Sequence, residues 1–354
     1  MRLAICGLGA AARNIHIPAY RRLKDVVLVG GCDPDPQART SVKDVFPLLY
    51  ADLAEMLEQV RPDALAICTP PALHYEQTLL AIEKGCHVFA EKPLCESLEE
   101  IDNIVEAARR GGKRVVVNTQ FPSMKIYSEA KRRIGTPEFG RLLFLHAWQT
   151  FNTNAKTEAG WRGQLKKRVC FEFGIHVFEL VRYFFDAEPA RLFAHMPSPP
   201  GTVECDALNT IALEFEDGRA ASIVLDRLSR GEERYLELRL DGEFAAIHTS
   251  IGGSLQMRAG IEPRSRKPFL SLDIAGGGKA VLQKEKHSRV IAREGLNPFA
   301  AATARQFQNF QEEVSTGVPC RSTVLEHRKT MALVIASYRS AETGTMINIQ
   351  HMYD

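Results

Sequence analysis

The sequence predicts an α/β protein: a doubly wound parallel sheet near the N-terminus, then an α+β region built on a large, open, mainly antiparallel sheet. Three observations carry this. Up to about residue 118, short apolar runs alternate with helix-length stretches, as in a parallel sheet with crossover helices. A glycine-rich turn stands where the first strand meets the first helix. From residue 190 to about 249 the apolar residues recur every second position, the mark of half-buried antiparallel strands. The expected domains are therefore 1–118 and 119–354, with the last helix a candidate to pack back on the first.

In chain order, the strands of the first region are expected at 3–6, 26–32, 64–68, 87–90 and 114–117, with helices at 10–23, 53–60, 73–84 and 98–110. Gly111-Gly112 closes the last of these helices, where a left-handed residue is wanted. The first turn reads Gly7-Leu8-Gly9-Ala10-Ala11-Ala12, a G-x-G-x-x-A. Its first glycine permits the tight turn, its second lets a pyrophosphate approach the backbone, and the small residue at 12 lets helix and strand pack closely. The helix opening there presents unpaired N–H groups and a positive dipole end to phosphate. Asp33 ends the second strand, where an acid bonds a ribose 2′-hydroxyl; it also suits a turn in Cys32-Asp33-Pro34-Asp35-Pro36. Together these form the Rossmann-type dinucleotide fingerprint. The acid favours NAD, since it repels a 2′-phosphate, while Arg39 or Arg13 leaves NADP open.

Thr69-Pro70-Pro71 follows the strand at 64–68, and His74 comes shortly after. Thr69 as a cap and proline in the first turn describe a helix entry; the same loop would wall the nicotinamide side of the crevice. The strand at 87–90 then stops at Glu91-Lys92-Pro93. Proline disfavours helix at Lys92 and holds it extended, at the mouth of the sheet where open α/β folds bind ligands.

Beyond 118 a helix is expected at 122–134 and a strand at 142–150, followed by a polar, irregular stretch at 152–167. An aromatic-rich helix at 169–185 carries Glu172, Gly174, His176 and Glu179. Four residues apart, Glu172 and His176 would share a helical face; the plain alternative is a boundary ion cluster around a core histidine. Ile211, Leu213 and Phe215 share one strand face, and Leu236, Leu238 and Leu240 another, with Asp217-Gly218 and Asp241-Gly242 as hairpin turns. Gly276-Gly277-Gly278-Lys279 lacks the spacing of a phosphate loop and reads as a turn; helices follow at 298–315 and 324–343.

Bulk properties narrow the function. The net charge of +2 over 354 residues gives no case for nucleic acid or membrane binding. No run approaches the length of a transmembrane helix, and the eight cysteines are scattered with no C-x-x-C pair. The expectation is a cytoplasmic protein without disulfides or a metal site.

Gly7-Leu8-Gly9, Thr69-Pro70 with His74, and above all Glu91-Lys92-Pro93 resemble the Gfo/Idh/MocA oxidoreductases, whose namesakes include glucose–fructose oxidoreductase and inositol dehydrogenase. The family's D-x-G-x-H-x-x-D pattern is met by Glu172-Phe173-Gly174-Ile175-His176-Val177-Phe178-Glu179, with both aspartates replaced by glutamate. Two further departures are Lys166-Lys167-Arg168 in place of a glycine run and Asn118-Thr119-Gln120-Phe121 in place of arginines. The resemblance implies an NAD(P)-dependent dehydrogenase acting on a sugar, cyclitol or related polyol. It implies that Lys92 meets the substrate oxygen and the nicotinamide ribose. His176 is then the candidate acid/base, or Lys92 the proton carrier, and Glu172 orients His176 or binds a hydroxyl. Gln120, Trp161 and Arg162 join Lys92, Glu172 and His176 as candidate substrate contacts. Gly7, Gly9, Ala10, Ala11, Ala12, Asp33, Thr69, Pro70, His74, Glu91 and Lys92 make up the candidate cofactor site. The open face of the second sheet is expected to form a homodimer or homotetramer. The alternatives are a redox-neutral sugar-modifying enzyme that retains its NAD, and a non-catalytic dinucleotide-binding regulator or partner subunit.

Overall fold

The computed structural model describes residues 1–152, 162–163, 165–199, 205–230, 234–252, 255–261, 268–274 and 277–353. They form two compact units that interleave along the chain: Met1–Ser123 with Cys170–Leu180 and Phe299–Asp354, and Met124–Val169 with Val181–Pro298. Segments 170–180 and 299–354 thus join the first unit, although they follow residue 118 in sequence.

The first unit is built on six strands: β1 (Arg2–Cys6), β2 (Val27–Cys32), β3 (Leu49–Tyr50), β4 (Ala64–Ile67), β5 (His87–Ala90) and β6 (Val115–Val117). All pair in parallel, in the order β3-β2-β1-β4-β5-β6. Every residue of β4 and β6 is buried, as expected where helices cover both faces of a sheet. The chain runs outward from β1 in one direction and from β4 in the other. The crevice past the ends of these two strands is the place where such sheets bind ligands.

The helices start and stop where their sequence says. A widened, π-type turn at Ala12–His16 leads into α1 (Ile17–Tyr20), and short α2 (Pro36–Thr40) follows β2. Asp52 caps α3 (Leu53–Val60). A Pro71–Leu73 turn opens α4 (His74–Glu83). Ser97 and Glu100 form a reciprocal capping box on α5 (Leu98–Gly111), which ends on left-handed Gly112 as its glycine pair predicts. Strand β3 and helix α2 are too short to show a hydrophobic period and escape sequence reasoning. Two helices from the C-terminal part, α8 (Pro298–Thr316) and α9 (Val324–Thr343), belong to this unit from Phe299 onward. Phe307 and Phe310 of α8 enter a buried cluster with Leu3, Ile5, Tyr20 and Phe89. Phe89 meets Phe307 edge to face at 5.1 Å.

The second unit holds α6 (Lys125–Arg133), β7 (Leu142–Thr150) and the end of α7 (Ile175–Phe185). Its remaining strands are β8 (Arg191–His195), β9 (Leu208–Glu214), β10 (Ala220–Asp226), β11 (Arg234–Gly242), β12 (Ala246–Ile251), β13 (Leu255–Ile261), β14 (Pro268–Ile274), β15 (Gly278–Lys284) and β16 (His287–Glu294). The main sheet runs β16-β15-β12-β11-β7-β10-β9-β8 and is antiparallel except between β7 and β10, so it is mixed. Strands β13 and β14 form a separate hairpin. The period-two reading holds: Leu236, Leu238 and Leu240 are fully buried, and so, within a few per cent, are Ile211, Leu213 and Phe215. On the other face Phe144, Trp148 and Phe193 are 36%, 40% and 37% exposed. One turn expectation fails. Gly242 ends β11 rather than turning the chain, and the reversal falls at 243–245; a Cβ on Gly242 would lie 2.5 Å from Phe139, so close packing keeps the position glycine.

Candidate active site

The turn after β1 behaves as its glycines require. Gly7 takes φ +84°, and a Cβ there would lie 2.7 Å from the backbone of Cys68 and Thr69, so no other residue fits. A Cβ on Gly9 would meet nothing within 4 Å. The turn therefore has open space on the side where a pyrophosphate would lie, with the helical turn from Ala12 opening beyond it. The carboxylate of Asp33 accepts the Leu8 N–H at 2.8 Å on one oxygen and the Asp35 N–H at 2.9 Å on the other. It ties its own turn to the glycine turn, and Arg39 donates to the carbonyls of Asp33 and Pro34 alongside. These residues fit a dinucleotide, whose nicotinamide would supply the hydride acceptor.

His74, a candidate cofactor contact, is engaged with main chain. It is buried, and Nδ1 and Nε2 lie 2.8 Å from the carbonyl oxygens of Pro93 and Thr69. Both ring nitrogens face main chain, so His74 ties the loop after β4 to the loop after β5. Thr69 donates its hydroxyl to Gln77 at 2.6 Å. Glu91 is likewise turned inward: Oε1 accepts from His16 Nε2 at 2.6 Å and from Asn118 Nδ2 at 2.8 Å, and Oε2 accepts the Lys92 N–H at 3.3 Å. A carboxylate so engaged organises the loop.

Lys92 leaves this loop in the opposite sense. Its Nζ donates to the main-chain carbonyl of Glu172 at 2.6 Å. Residues Cys170–Gly174 form a second π-type turn, and α7 begins only at Ile175. Glu172 lies in the wide turn and His176 in the helix that follows it, and the turn delivers the main-chain carbonyl of Glu172 to Lys92, four residues ahead of His176. Turns of this kind recur at functional sites. His176 is 4% exposed and stacks on Phe121 with ring centroids 4.1 Å apart and planes within 4°; Phe173 meets it edge-on. Burial, with the Lys92 charge pushing the same way, holds the His176 pKa well below the ordinary imidazole value, so the ring is neutral at pH 7. Its Nδ1 is buried with no partner among the described residues. Glu179 accepts the Thr330 hydroxyl at 2.8 Å and has a structural place in the interior.

Gln120 is buried, with Oε1 lacking a partner among the described residues. Arg162 is exposed in the second unit, and Trp161 lies outside the described residues. Sequence reasoning missed His16, Phe121 and His327. His16 stands four residues before Tyr20, whose hydroxyl lies 2.8 Å from its Nδ1, and that i, i+4 spacing was the available signal. His327, on α9, accepts the Leu94 N–H at 3.3 Å and so holds the far side of the Lys92 loop, a contact no local pattern announces.

Two family models match the chain. The oxidoreductase family with an NAD-binding Rossmann fold, GFO_IDH_MocA, matches residues 1–119, and the GFO/IDH/MocA C-terminal domain matches residues 127–248. The chain belongs to the Gfo/Idh/MocA oxidoreductase family. Among its relatives, D-apiose dehydrogenase of Paraburkholderia graminis is 23% identical over 99% of this chain and 90% of its own. D-glucoside 3-dehydrogenase of Escherichia coli is 29% identical over 52% of this chain and 53% of its own. The crystal structure of an oxidoreductase from Agrobacterium radiobacter in complex with NAD+, L-tartaric acid and magnesium superposes with a TM-score of 0.84. It covers 99% of both chains at 17% identity and shows the shared fold. As a member of this family the chain is an NAD-binding oxidoreductase, and the Gly7–Ala12 turn falls inside the NAD-binding match. Among the described residues no helix is long and apolar enough to cross a membrane.

Proposed function

We propose that this enzyme oxidises a secondary alcohol of a sugar or polyol to the ketone, reversibly, with NAD as hydride acceptor. The observation that carries the reading is the approach of Lys92 to the turn bearing His176, beside a glycine turn open for a dinucleotide. As the hydroxyl carbon gives up hydride, its O–H proton passes to neutral His176. Lys92 donates a hydrogen bond to the same oxygen and stabilises its developing negative charge. Phe121 fixes the plane of the imidazole, and the buried amide of Gln120 is available to a substrate hydroxyl. The relatives named as apiose and glucoside dehydrogenases support a sugar-sized alcohol. Asp33 supports NAD over NADP, because a 2′-phosphate would approach its carboxylate.

The test is a panel of aldoses, cyclitols and glycosides incubated with NAD+ or NADP+, read as reduced nicotinamide absorbance. At least one polyol gives stoichiometric NADH, at a rate exceeding that with NADP+; if no member of the panel reduces either nucleotide, the reading fails. Phe144, Trp148 and Phe193, part-exposed on one face of the second sheet, support self-association through that face, since exposed large apolar side chains favour a partner over water. Light scattering on the purified protein is expected to give a dimer or tetramer mass, and a monomer after Trp148→Lys.

A further inference from the structure

Two basic side chains compete for Glu91. Lys92 follows it directly in sequence, and His16 reaches it from the turn after the glycine loop. The pairing is with His16: Nε2 lies 2.6 Å from Oε1, the histidine is 0% exposed, and Asn118 donates to the same oxygen. Asn118 also donates to Thr303 on α8 at 3.2 Å, which anchors the amide that holds the carboxylate. On its other side His16 meets the Tyr20 hydroxyl, which can accept from a protonated ring or donate to a neutral one. The Lys92 Nζ goes instead to the carbonyl of Glu172.

We propose that His16 is a positioning residue: by taking the Glu91 carboxylate as its ion-pair partner, it keeps the Lys92 amine turned toward Glu172 and the reaction site. A buried carboxylate needs a counter-charge. With His16 gone, the nearest cation is the adjacent lysine, and its amine is drawn back along its own backbone and away from substrate. The catalytic consequence rests on the reading of Lys92 given above; the geometric one does not.

The test separates the two. Lys92 acylation by an amine-reactive ester, followed by peptide mass spectrometry, reports the state of its amine without any substrate. In His16→Leu, pairing with Glu91 slows this labelling about tenfold, the change expected when an amine pKa rises by about one unit. In the same variant kcat falls by about 10²-fold from misplacement of the amine, while the NAD Kd stays within about twofold. His16→Leu/Glu91→Gln removes the surplus charge and restores the labelling and part of kcat, which lost packing alone would not do. Should the leucine variant not fold, His16→Gln keeps an N–H for Glu91 and deletes only the charge, and it too slows labelling. Unchanged Lys92 labelling in the folded single variant, or no recovery in the double variant, overturns the proposal. If labelling behaves as stated but the wild-type protein reduces NAD with no polyol, it is the assigned activity that fails.

Discussion

Two widened turns, Ala12–His16 and Cys170–Gly174, lie far apart in sequence but in one compact unit, and each delivers a buried histidine. His16 faces a carboxylate. Burial works against a charge there, but Cys68, Tyr20 and Glu91 outweigh it and hold the pKa of His16 well above the ordinary imidazole value. Burial likewise works to raise the Glu91 pKa, but the hydrogen bond and charge of His16, with Lys92 and Asn118, bring it down to about 2. His176 faces rings. Phe121 lies flat against it, Phe173 edge-on, and the nearest charge is a lysine, so the same side chain is held neutral. Neighbours rather than residue type decide which histidine is half of an ion pair and which is a neutral ring.

The sharpest way to break that contrast is to remove the proposed chemistry from one side only. His176→Ala and Lys92→Ala are each expected to lower kcat by about 10² to 10⁴-fold while NAD affinity, measured by calorimetry, stays near wild type. A His176→Ala enzyme with wild-type turnover would remove the imidazole from the mechanism.

The two histidines also predict opposite slopes of stability against pH. The folded-state pKa of His16 is raised, so its contribution is complete below its unfolded value of about 6.5 and is lost as pH rises through the folded value. That of His176 is depressed, so its neutral burial costs nothing above about 6.5, and stability falls as pH drops below that value. His74, buried between two carbonyls with its pKa also lowered, adds to the acid-side loss, and Glu91 extends it as pH falls from about 4.3 toward its folded value of about 2. His176→Phe keeps a ring against Phe121 and removes the titration. Urea midpoints taken from pH 5 to 7 should therefore fall less steeply with acid in this variant than in wild type. Equal slopes would mean that His176 titrates normally.

The smallest effect concerns the stack itself. Phe121→Leu keeps the apolar volume but loses the parallel ring, and is expected to cost about 1 kcal/mol of unfolding free energy. The acid limb of the kcat profile should move to higher pH with it, as the imidazole becomes easier to protonate.

Much of this was readable from the chain alone. The glycine turn, Asp33, the Glu-Lys-Pro stop after β5 and the period-two strands are local signals, because backbone conformation and alternating burial depend on near neighbours. The C-terminal helix α9 falls at the residues its pattern predicts, 324–343. The partners of Glu91 and His74 were not readable. Each is a question of which long-range group arrives first, and local spacing carries no record of it. Glu172 shows the same limit: the i, i+4 count concerned its side chain, while the contact with Lys92 is made by its main-chain carbonyl in a π-type turn.

What the sequence determined by itself was the parallel α/β architecture, the place of the dinucleotide turn and the lysine at the strand end. Only the tertiary structure decided that segments 170–180 and 299–354 join the first unit, that His16 and not Lys92 pairs with Glu91, and that His176 sits neutral against Phe121. Proton states and ion pairs are settled by desolvation and by charges brought together across the fold, and those exist only once it has closed.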